Sequence, residues 1–296
     1  MNRKVLLLVN PFSGSKKGLV YSEKVKKFLD AEALKYVEVI SQNIGFFAGW
    51  ISQNSLSEFQ LIVIIGGDGT MNEIINAIFK NRITDYPPLY LLPAGSGNAL
   101  NHDLENLDLE KALLKIKNPK IDFIDLLEIK SAKGIHYAFN AIGWGMVATI
   151  NQTSDKIRWL GGARYAVAAI WHILKNPVNF ARLSFENVRA EQGLTFVMIM
   201  NTIHTGKSMK MAPHADLRDG LLDILIVKKQ PFYKFLSLFP SIFTGKHIDT
   251  PYVQYFHTDR ISISSPNTFL VVDGEQYDPG NFEVLIHKQK IKILMP

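Results

Sequence analysis

The sequence predicts two domains, an N-terminal α/β domain on a parallel sheet and a C-terminal antiparallel β-sandwich. Up to about residue 119, short apolar segments alternate with amphipathic stretches of helical period, an order typical of a parallel sheet with helices on both faces. From about residue 121, β-like runs follow one another with turn residues between them, which is typical of sandwiches. The predicted boundary lies between residues 119 and 120, and an alternative in which the last strand returns to the first domain is left open.

The predicted elements of the first domain place three turns at one edge of its sheet. Strands are expected at 5–9, 36–40, 61–65 and 89–92, and helices at 21–32, 46–53 and 71–79. Turns rich in Gly or Pro follow three of the strands, at 10–14, 66–70 and 93–98. Ligands of such sheets bind at the carboxyl ends of the strands, so we expect the three turns to lie on one rim.

The second domain is predicted from shorter signals. Two helical stretches, 155–175 and 231–243, interrupt its strands. The β-like runs lie at 121–130, 135–142, 178–188, 194–200, 222–229, 260–264, 269–273, 282–287 and 290–295.

Composition excludes several classes of protein. Apolar residues make up 47% and charged residues 20%, enough for a sizeable core. The absence of cysteine excludes disulfides and thiolate chemistry. No apolar run approaches the ~18–20 residues that span a bilayer, so a soluble cytoplasmic protein is expected. The net charge of +6 favours anionic partners, but the basic residues are dispersed, and no nucleic-acid partner is predicted.

The turn after the third strand has the composition of a phosphate site. Gly66, Gly67 and Gly69 let backbone N–H groups approach an anion, and the helix predicted after Thr70 adds its positive end. Asp68 would repel phosphate unless a metal or a transferable proton lies between them, which suggests phosphoryl transfer. For this turn alone, a plain strand-to-helix connection with a solvated aspartate is the alternative.

The other two turns strengthen the nucleotide interpretation. Asn10-Pro11-Phe12-Ser13-Gly14 and Pro93-Ala94-Gly95-Ser96-Gly97-Asn98 each place a hydroxyl beside glycine. A conventional P-loop is missing, because the Gly-Lys-Ser at 206–208 has Asn201 where that motif needs glycine. We predict that this segment is a loop of the second domain.

Five blocks occur in order along the chain: VNPFSG (9–14), GGDGTMNEIINAI (66–78), LPAGSGNAL (92–100), APHADLRDGLLD (212–223) and VDGE (272–275). This set resembles the lipid kinases with a diacylglycerol kinase catalytic domain, which include bacterial diacylglycerol kinases and sphingosine kinases. The resemblance implies an α/β nucleotide domain, a β-sandwich, and transfer of phosphate from ATP to a lipid hydroxyl with Mg²⁺.

The resemblance implies a set of ligand-binding residues. ATP is expected to contact Asn10, Pro11, Ser13, Gly14, Ser41, Gly66, Gly67, Asp68, Gly69, Thr70, Asn72, Gly95, Ser96, Gly97 and Asn98, together with Arg158 and Arg164, which match phosphate-binding arginines of sphingosine kinases. The implied Mg²⁺ site has the carboxylate of Asp219 with the carbonyls of Asp216 and Leu221, an all-oxygen set that suits this ion.

Two acidic positions resemble the catalytic base of different family members. Asp68 matches the base of sphingosine kinases, whereas Asp273 and Glu275 match the acidic pair of bacterial diacylglycerol kinases. Our hypothesis is that Asp68 and Glu275 face each other across the cleft. Asp125 matches a further family carboxylate, or solubilises an edge strand. Asn151 stands where sphingosine kinases have an Asp, which weakens a sphingosine assignment.

The expected partners are a lipid alcohol, a membrane surface in transient contact, and a second copy of the chain. Surplus apolar area at 163–175 and 231–244 indicates acyl-chain or membrane contact, although buried core is the commoner explanation. Two other functions stay open: an NAD kinase, which shares the GGDG turn, and a lipid-binding module without catalytic activity.

Overall fold

The computed structural model describes residues 4–175, 178–185, 188–206, 208–266 and 269–295. The chain forms two compact units. Unit 1 is Met1–Leu126 with Gly206–Ser208 and Lys288–Pro296, and unit 2 is Leu127–Thr205 with Met209–His287. The units divide at 126/127, within the strand that begins at Lys120. The grouping of Gly206–Ser208 with unit 1 shows that the prediction of a second-domain loop there is wrong.

The helices and strands are numbered in chain order. The helices are α1 (Ser13–Ala31), α2 (Phe46–Gln53), α3 (Asp68–Lys80), α4 (Ala99–Asp103), α5 (Leu109–Lys117), α6 (Met146–Lys156), α7 (Arg164–Lys175) and α8 (Phe232–Leu238). The strands are β1 (Lys4–Val9), β2 (Tyr36–Ile40), β3 (Phe59–Gly66), β4 (Leu89–Pro93), β5 (Lys120–Ser131), β6 (Gly134–Ala138), β7 (Ala141–Gly145), β8 (Asn179–Phe185), β9 (Val188–Met200), β10 (His204–Thr205), β11 (Met209–Lys210), β12 (Leu222–Lys228), β13 (Val253–Thr258), β14 (Arg260–Ser264), β15 (Leu270–Val272), β16 (Glu275–Tyr277) and β17 (Phe282–Met295).

Unit 1 is built on a parallel sheet in the order β2-β1-β3-β4. The end of β17 adds a further parallel strand, since Ile293 pairs with Leu89 of β4. The core side chains of β1 and β3 are buried and pack with α1 and α5, and α3 buries a run of apolar residues as well. Burial on both faces explains why these strands are continuous apolar runs instead of alternating ones. The predicted α/β fold is confirmed.

Unit 2 is antiparallel, as predicted. Its strands follow the order β16-β15-β7-β9-β8-β14-β17, with β12 and β13 paired beside β9 and with β5 and β6 forming a hairpin. Its core has Trp144 of β7 almost fully buried among aliphatic side chains of β8, β9, β12 and β14. In the described part of the chain, no helix is long and apolar enough to cross a bilayer.

Asp125 belongs to the interior of unit 1. Its side chain is fully buried, and its Oδ1 accepts the N–H of Gln289 at 2.6 Å. An edge-strand carboxylate kept for solubility would be exposed, so that alternative is wrong. Asp125 links β5 to the returning strand β17 inside the same unit.

Candidate functional site

The three turns that the sequence singled out meet in unit 1, as predicted. Their backbones touch so closely that a side chain could not fit between them. A Cβ atom at Gly14 would lie 2.1 Å from the carbonyl oxygen of Ala94, and one at Gly95 would lie 2.5 Å from the Cα of Gly67. Both distances are far below a normal contact, so the turns after β1, β3 and β4 form one backbone-lined rim.

Side-chain hydrogen bonds hold this rim together. The Nδ2 of Asn10 donates to the Oγ1 of Thr70 at 3.0 Å, and the Oδ1 of Asn10 accepts the N–H of Phe12 at 3.0 Å. One asparagine therefore shapes its own turn and ties it to the start of α3. The N–H of Ser41 donates to the carbonyl of Val9 at 2.9 Å, which brings the end of β2 to the same edge.

Asp68 is the charged group of the rim. It is the first residue of α3, and its Oδ2 accepts the N–H of Ala99 at 3.1 Å, at the start of α4. Its Oδ1 is buried, with no hydrogen-bond partner among the described residues. Burial raises the pKa of the Asp68 carboxyl, although backbone N–H groups of Ala99 and Leu100 act in the opposite direction. A carboxylate with a raised pKa is a better proton acceptor near neutral pH.

The rim has the chemistry of an anion site. The Oγ of Ser13 is buried and, like the Oδ1 of Asp68, has no partner in the described part of the chain. Ser13 and Asp68 stand at the first turns of α1 and α3, where N–H groups are unsatisfied and the helix dipole favours negative charge. Open backbone, two helix starts and an unpartnered hydroxyl fit a phosphate group.

The other predicted rim residues differ in what their side chains do. Ser96 is exposed, whereas Asn72 is buried and its Oδ1 accepts the Nδ2 of Asn76 at 3.1 Å. Asn98 has a left-handed backbone, with φ at 51°, and its Oδ1 accepts the N–H of Gly95 at 2.9 Å. Asn98 therefore shapes the turn, and the predicted nucleotide contacts of all these residues stay predictions.

Gly206–Ser208 is the part of the rim that sequence reasoning missed. The Cα of Gly206 lies 3.5 Å from where a Cβ of Gly97 would stand. The Oγ of Ser208 is 3.3 Å from the Nε2 of His102 in α4. Lys207 lies outside the described residues. The Gly-Lys-Ser signal was visible in the sequence, but only the fold shows that it belongs beside the other turns.

The second acidic motif lies in unit 2, at the turn between β15 and β16. Asp273 is buried, and its carboxylate accepts three backbone N–H groups, from Phe139, Asn140 and Ala141. Glu275 is exposed at the first position of β16. The two carboxylates of this motif therefore have different surroundings. Asp68 belongs to unit 1, and the hypothesis that it faces Glu275 stays a prediction.

The two predicted phosphate-binding arginines also belong to unit 2. Arg164 begins α7, where its guanidinium lies 3.9 Å from the Oδ1 of Asp155 and stacks 4.7 Å from the ring centre of Tyr165. The side chain of Arg158 lies outside the described part of the structure. Phosphate binding by either arginine stays a prediction.

The predicted Mg²⁺ ligands lie in a loop in which backbone N–H groups donate hydrogen bonds to the loop's own carboxylates. The Oδ1 of Asp219 accepts the N–H of Leu221 at 2.8 Å, and the Oδ1 of Asp216 accepts the N–H of Arg218 at 2.9 Å. Nearby, the Oδ2 of Asp223 is buried and has no partner among the described residues. Within those residues, no three His, Asp or Glu side chains gather around a common point. Oxygen ligands of this kind would suit a hard cation that keeps several waters, and Mg²⁺ binding at this loop stays a prediction.

Two family models match this chain and together cover most of it. Residues 4–129 match the diacylglycerol kinase catalytic domain, and residues 140–295 match the YegS C-terminal NAD kinase beta sandwich-like domain. The chain therefore belongs to the lipid kinase family that combines these two domains.

Relatives of this chain are similar along most of their length. The chain is 24% identical over 298 residues to a diacylglycerol kinase of Mycobacterium tuberculosis strain H37Rv, covering 99% of this chain and 95% of that protein. It is 24% identical over 327 residues to sphingosine kinase 1 of Mus musculus, covering 92% and 86%. A crystal structure of a diacylglycerol kinase from Bacillus anthracis str. Sterne shares the fold, with a TM-score of 0.73 at 18% identity over 99% of this chain and 97% of that one.

The backbone contact between two turns predicts opposite effects for two glycine substitutions. Gly95→Ala would place a methyl group 2.5 Å from the Cα of Gly67, so we expect a loss of ~1–3 kcal/mol from overpacking. Gly49→Ala is the control, because this helical glycine has nothing within 4 Å of its Cβ position, and we expect a gain of ~0.5–1 kcal/mol. Urea unfolding measures both, and equal stability of the two variants would contradict the close contact.

Asp68→Asn keeps an acceptor for the Ala99 N–H but removes the charge. Burial and the nearby charge of Asp103 raise the pKa of Asp68, so the folded protein holds this proton more tightly than the unfolded chain. Stability then falls as the pH rises above the unfolded pKa, ~3.9. We expect Asp68→Asn to melt above the wild type at neutral pH, with the difference vanishing in acid. Melting curves against pH measure this, and a variant that melts below the wild type at neutral pH would refute it.

Proposed function

We propose that this chain transfers the γ-phosphate of ATP to the hydroxyl of a lipid alcohol, of the diacylglycerol or sphingoid type. The observation that carries the proposal is the glycine-lined rim of unit 1, with a buried carboxylate and an unpartnered hydroxyl at two helix starts. Family membership supports a kinase of lipids. The rim supports a phosphate-bearing donor, because its open N–H groups suit polyphosphate.

Phosphoryl transfer needs positioning, neutralised charge and a proton acceptor. In this proposal the rim orients the phosphates, and Arg164 neutralises charge on them. Either Asp68 or Glu275 takes the proton from the lipid hydroxyl. The raised pKa of the Asp68 carboxyl favours Asp68 as the base. The carboxylate of Glu275 is exposed, so a lipid hydroxyl could reach it.

The same proposal includes Mg²⁺ at the loop of unit 2. Asp219 would contribute the carboxylate oxygen that is not bonded to Leu221, and Asp216 and Leu221 would contribute carbonyls. The ion, when bound, supplies positive charge that offsets phosphate charge. The loop itself is preorganised, because the N–H groups of Leu221 and Arg218 already fix its two carboxylates.

We further propose that the protein acts in the cytoplasm and contacts a membrane surface through α7, since its acceptor is a lipid. Val167, Ile170, Trp171 and Leu174 recur at helical spacing, and all four are exposed. The expectation that this stretch is mainly core is therefore wrong for its outer side. A lysine accompanies the stripe, since the Nζ of Lys175 lies 4.8 Å from the ring centre of Trp171. A homodimer also stays a prediction.

The decisive experiment offers γ-labelled ATP and Mg²⁺ to the purified protein with several acceptors. Diacylglycerol, monoacylglycerol, sphingosine and ceramide in mixed micelles form the lipid panel, and NAD⁺ is a separate arm. We expect label in one lipid class and a loss of ~10²-fold or more in kcat for Asp68→Asn or Glu275→Gln, whichever residue is the base.

Exposed acidic residues provide the matched controls. Asp85→Asn and Glu105→Gln remove charges from exposed positions and should leave kcat unchanged. Label in NAD⁺ alone would favour an NAD kinase. Lipid retention without transfer would favour a silent lipid-binding module. Near-normal kcat in both Asp68→Asn and Glu275→Gln would contradict the proposed bases.

Membrane contact through α7 predicts a selective loss of vesicle binding. Ile170→Asn places an amide in the exposed stripe, and we expect ~10-fold weaker binding to vesicles of mixed phosphatidylcholine and phosphatidylglycerol, from the lost apolar burial. Ile44→Asn is the control, because Ile44 is a fully exposed isoleucine that belongs to unit 1 and not to this helix. Cosedimentation measures both variants, and equal binding by them would argue against α7 as the contact.

A further inference from the structure

The turn next to Glu275, here called the Glu275 turn, is a tight hairpin connection. It joins β15 to β16 through Asp273 and Gly274, whose φ angles are 49° and 93°. Positive φ at both central residues is typical of such a turn, and Asp-Gly is one of the residue pairs that favour it. Because Glu275 begins β16 directly after this turn, its position depends on the contacts that hold these two residues.

A row of three backbone N–H groups holds the carboxylate of Asp273. Its Oδ2 accepts from Phe139 at 3.0 Å, and its Oδ1 accepts from Asn140 at 3.0 Å and from Ala141 at 2.9 Å. Its own N–H donates to the carbonyl of Ala141 at 2.9 Å. Successive N–H groups that converge on one anion form a strong anion site, so the side chain fastens the turn to the connection between β6 and β7.

That connection is fixed from its other side as well. The Nδ2 of Asn201 donates to the carbonyl of Phe139 at 2.8 Å, and the N–H of Asn201 donates to the carbonyl of Asn140 at 2.9 Å. The hydroxyl of Thr202 bonds to the side chain of Asn140. The side chains of Asp273, Asn140, Asn201 and Thr202 are all buried, so the anchor of the turn is a buried hydrogen-bond network.

Asn151 holds the turn at its second residue. Its Nδ2 donates to the carbonyl of Gly274 at 3.1 Å, and its side chain is buried in α6. The Oδ1 of Asn151 has no partner among the described residues, so the bond to Gly274 sets the orientation of the amide. A carboxylate here would place an oxygen against the carbonyl oxygen of Gly274 and lose this hydrogen bond.

We propose that Asp273 and Asn151 are positioning residues that fix the Glu275 turn from both sides, and that neither exchanges a proton with substrate. Asp273 has both oxygens committed to backbone N–H groups, which leaves Glu275 as the reactive carboxylate of the motif. The expected effect of these residues on kcat rests on the proposed kinase function. Their effect on the geometry of the turn does not depend on that function.

The test uses Asn151→Asp, which exchanges a donor for an oxygen at nearly constant volume. The control is Asn54→Asp, because the Nδ2 of Asn54 also donates to a carbonyl, that of Trp50, on the exposed surface. We expect amide exchange at residues 273–276 to speed up ~10-fold in Asn151→Asp alone, from the lost hydrogen bond. Unchanged exchange there would overturn the inference, even if the protein had no kinase activity.

A double-mutant cycle tests the kinetic part. A ~1 Å displacement of a reacting group can cost ~10²-fold in rate, so we expect Asn151→Asp to lower kcat ~10–100-fold with little change in KM for ATP. In a Glu275→Gln background, the same substitution should change kcat less than twofold, because its effect acts through Glu275. Equal losses in both backgrounds would overturn the inference.

Asp273→Asn is a second test of the same proposal. We expect it to speed amide hydrogen exchange at residues 139–141. We also expect it to lower kcat in the wild-type background but to change kcat little in a Glu275→Gln background. If Asp273→Asn does not fold, the double-mutant cycle with Asn151→Asp still tests the positioning role. If the wild-type protein phosphorylates no acceptor, the proposed function fails. Amide exchange at residues 273–276 then still tests whether Asn151 holds the turn.

Discussion

The site of unit 1 depends on one steric constraint: three turns can touch only where their glycines carry no side chain. Gly14 meets Ala94, and Gly95 meets Gly67, at distances that would make any Cβ clash. The parallel order of β1, β3 and β4 brings the strand ends together, and the glycines then let the turns close. The bond from Asp68 to Ala99 at the start of α4 exists only because those turns are so close.

Two aspartates that look alike in the sequence have opposite surroundings in the fold. Asp68 and Asp273 each follow a strand and precede glycine. Asp273 has both oxygens bonded to backbone N–H groups, whereas Asp68 keeps one buried oxygen without a partner among the described residues. A buried carboxylate that is fully hydrogen-bonded stabilises its turn. A buried carboxylate with an oxygen that lacks a partner lowers the stability of the fold, because the desolvation of that oxygen is not compensated. This difference in hydrogen bonding cannot be seen by comparing the two motifs.

The sequence was sufficient where a local pattern decides the structure. Buried parallel strands must be apolar throughout, so β1, β3 and β4 were placed within a few residues. Short elements were missed when their sequences carry little periodicity, as in α4 and β16. The grouping of Gly206–Ser208 with unit 1 depends on contacts with Gly97 and His102, far away in sequence. Burial of Asp125 likewise depends on Gln289, which no local pattern could indicate.

Helix α7 shows why apolar content alone could not separate core from surface. Its apolar stripe faces outward, whereas Ala168 on its inner side is buried. His172 also lies on the inner side, and its Nε2 is 2.8 Å from the Oγ1 of Thr153 in α6. Burial and the charge of Lys175 lower the pKa of His172, so this inner contact is between neutral groups at neutral pH. A helix that satisfies its polar groups inward gains nothing from water on its apolar side. Its outward stripe, which no neighbouring element of the described chain covers, is the observation behind the proposed contact with a membrane surface.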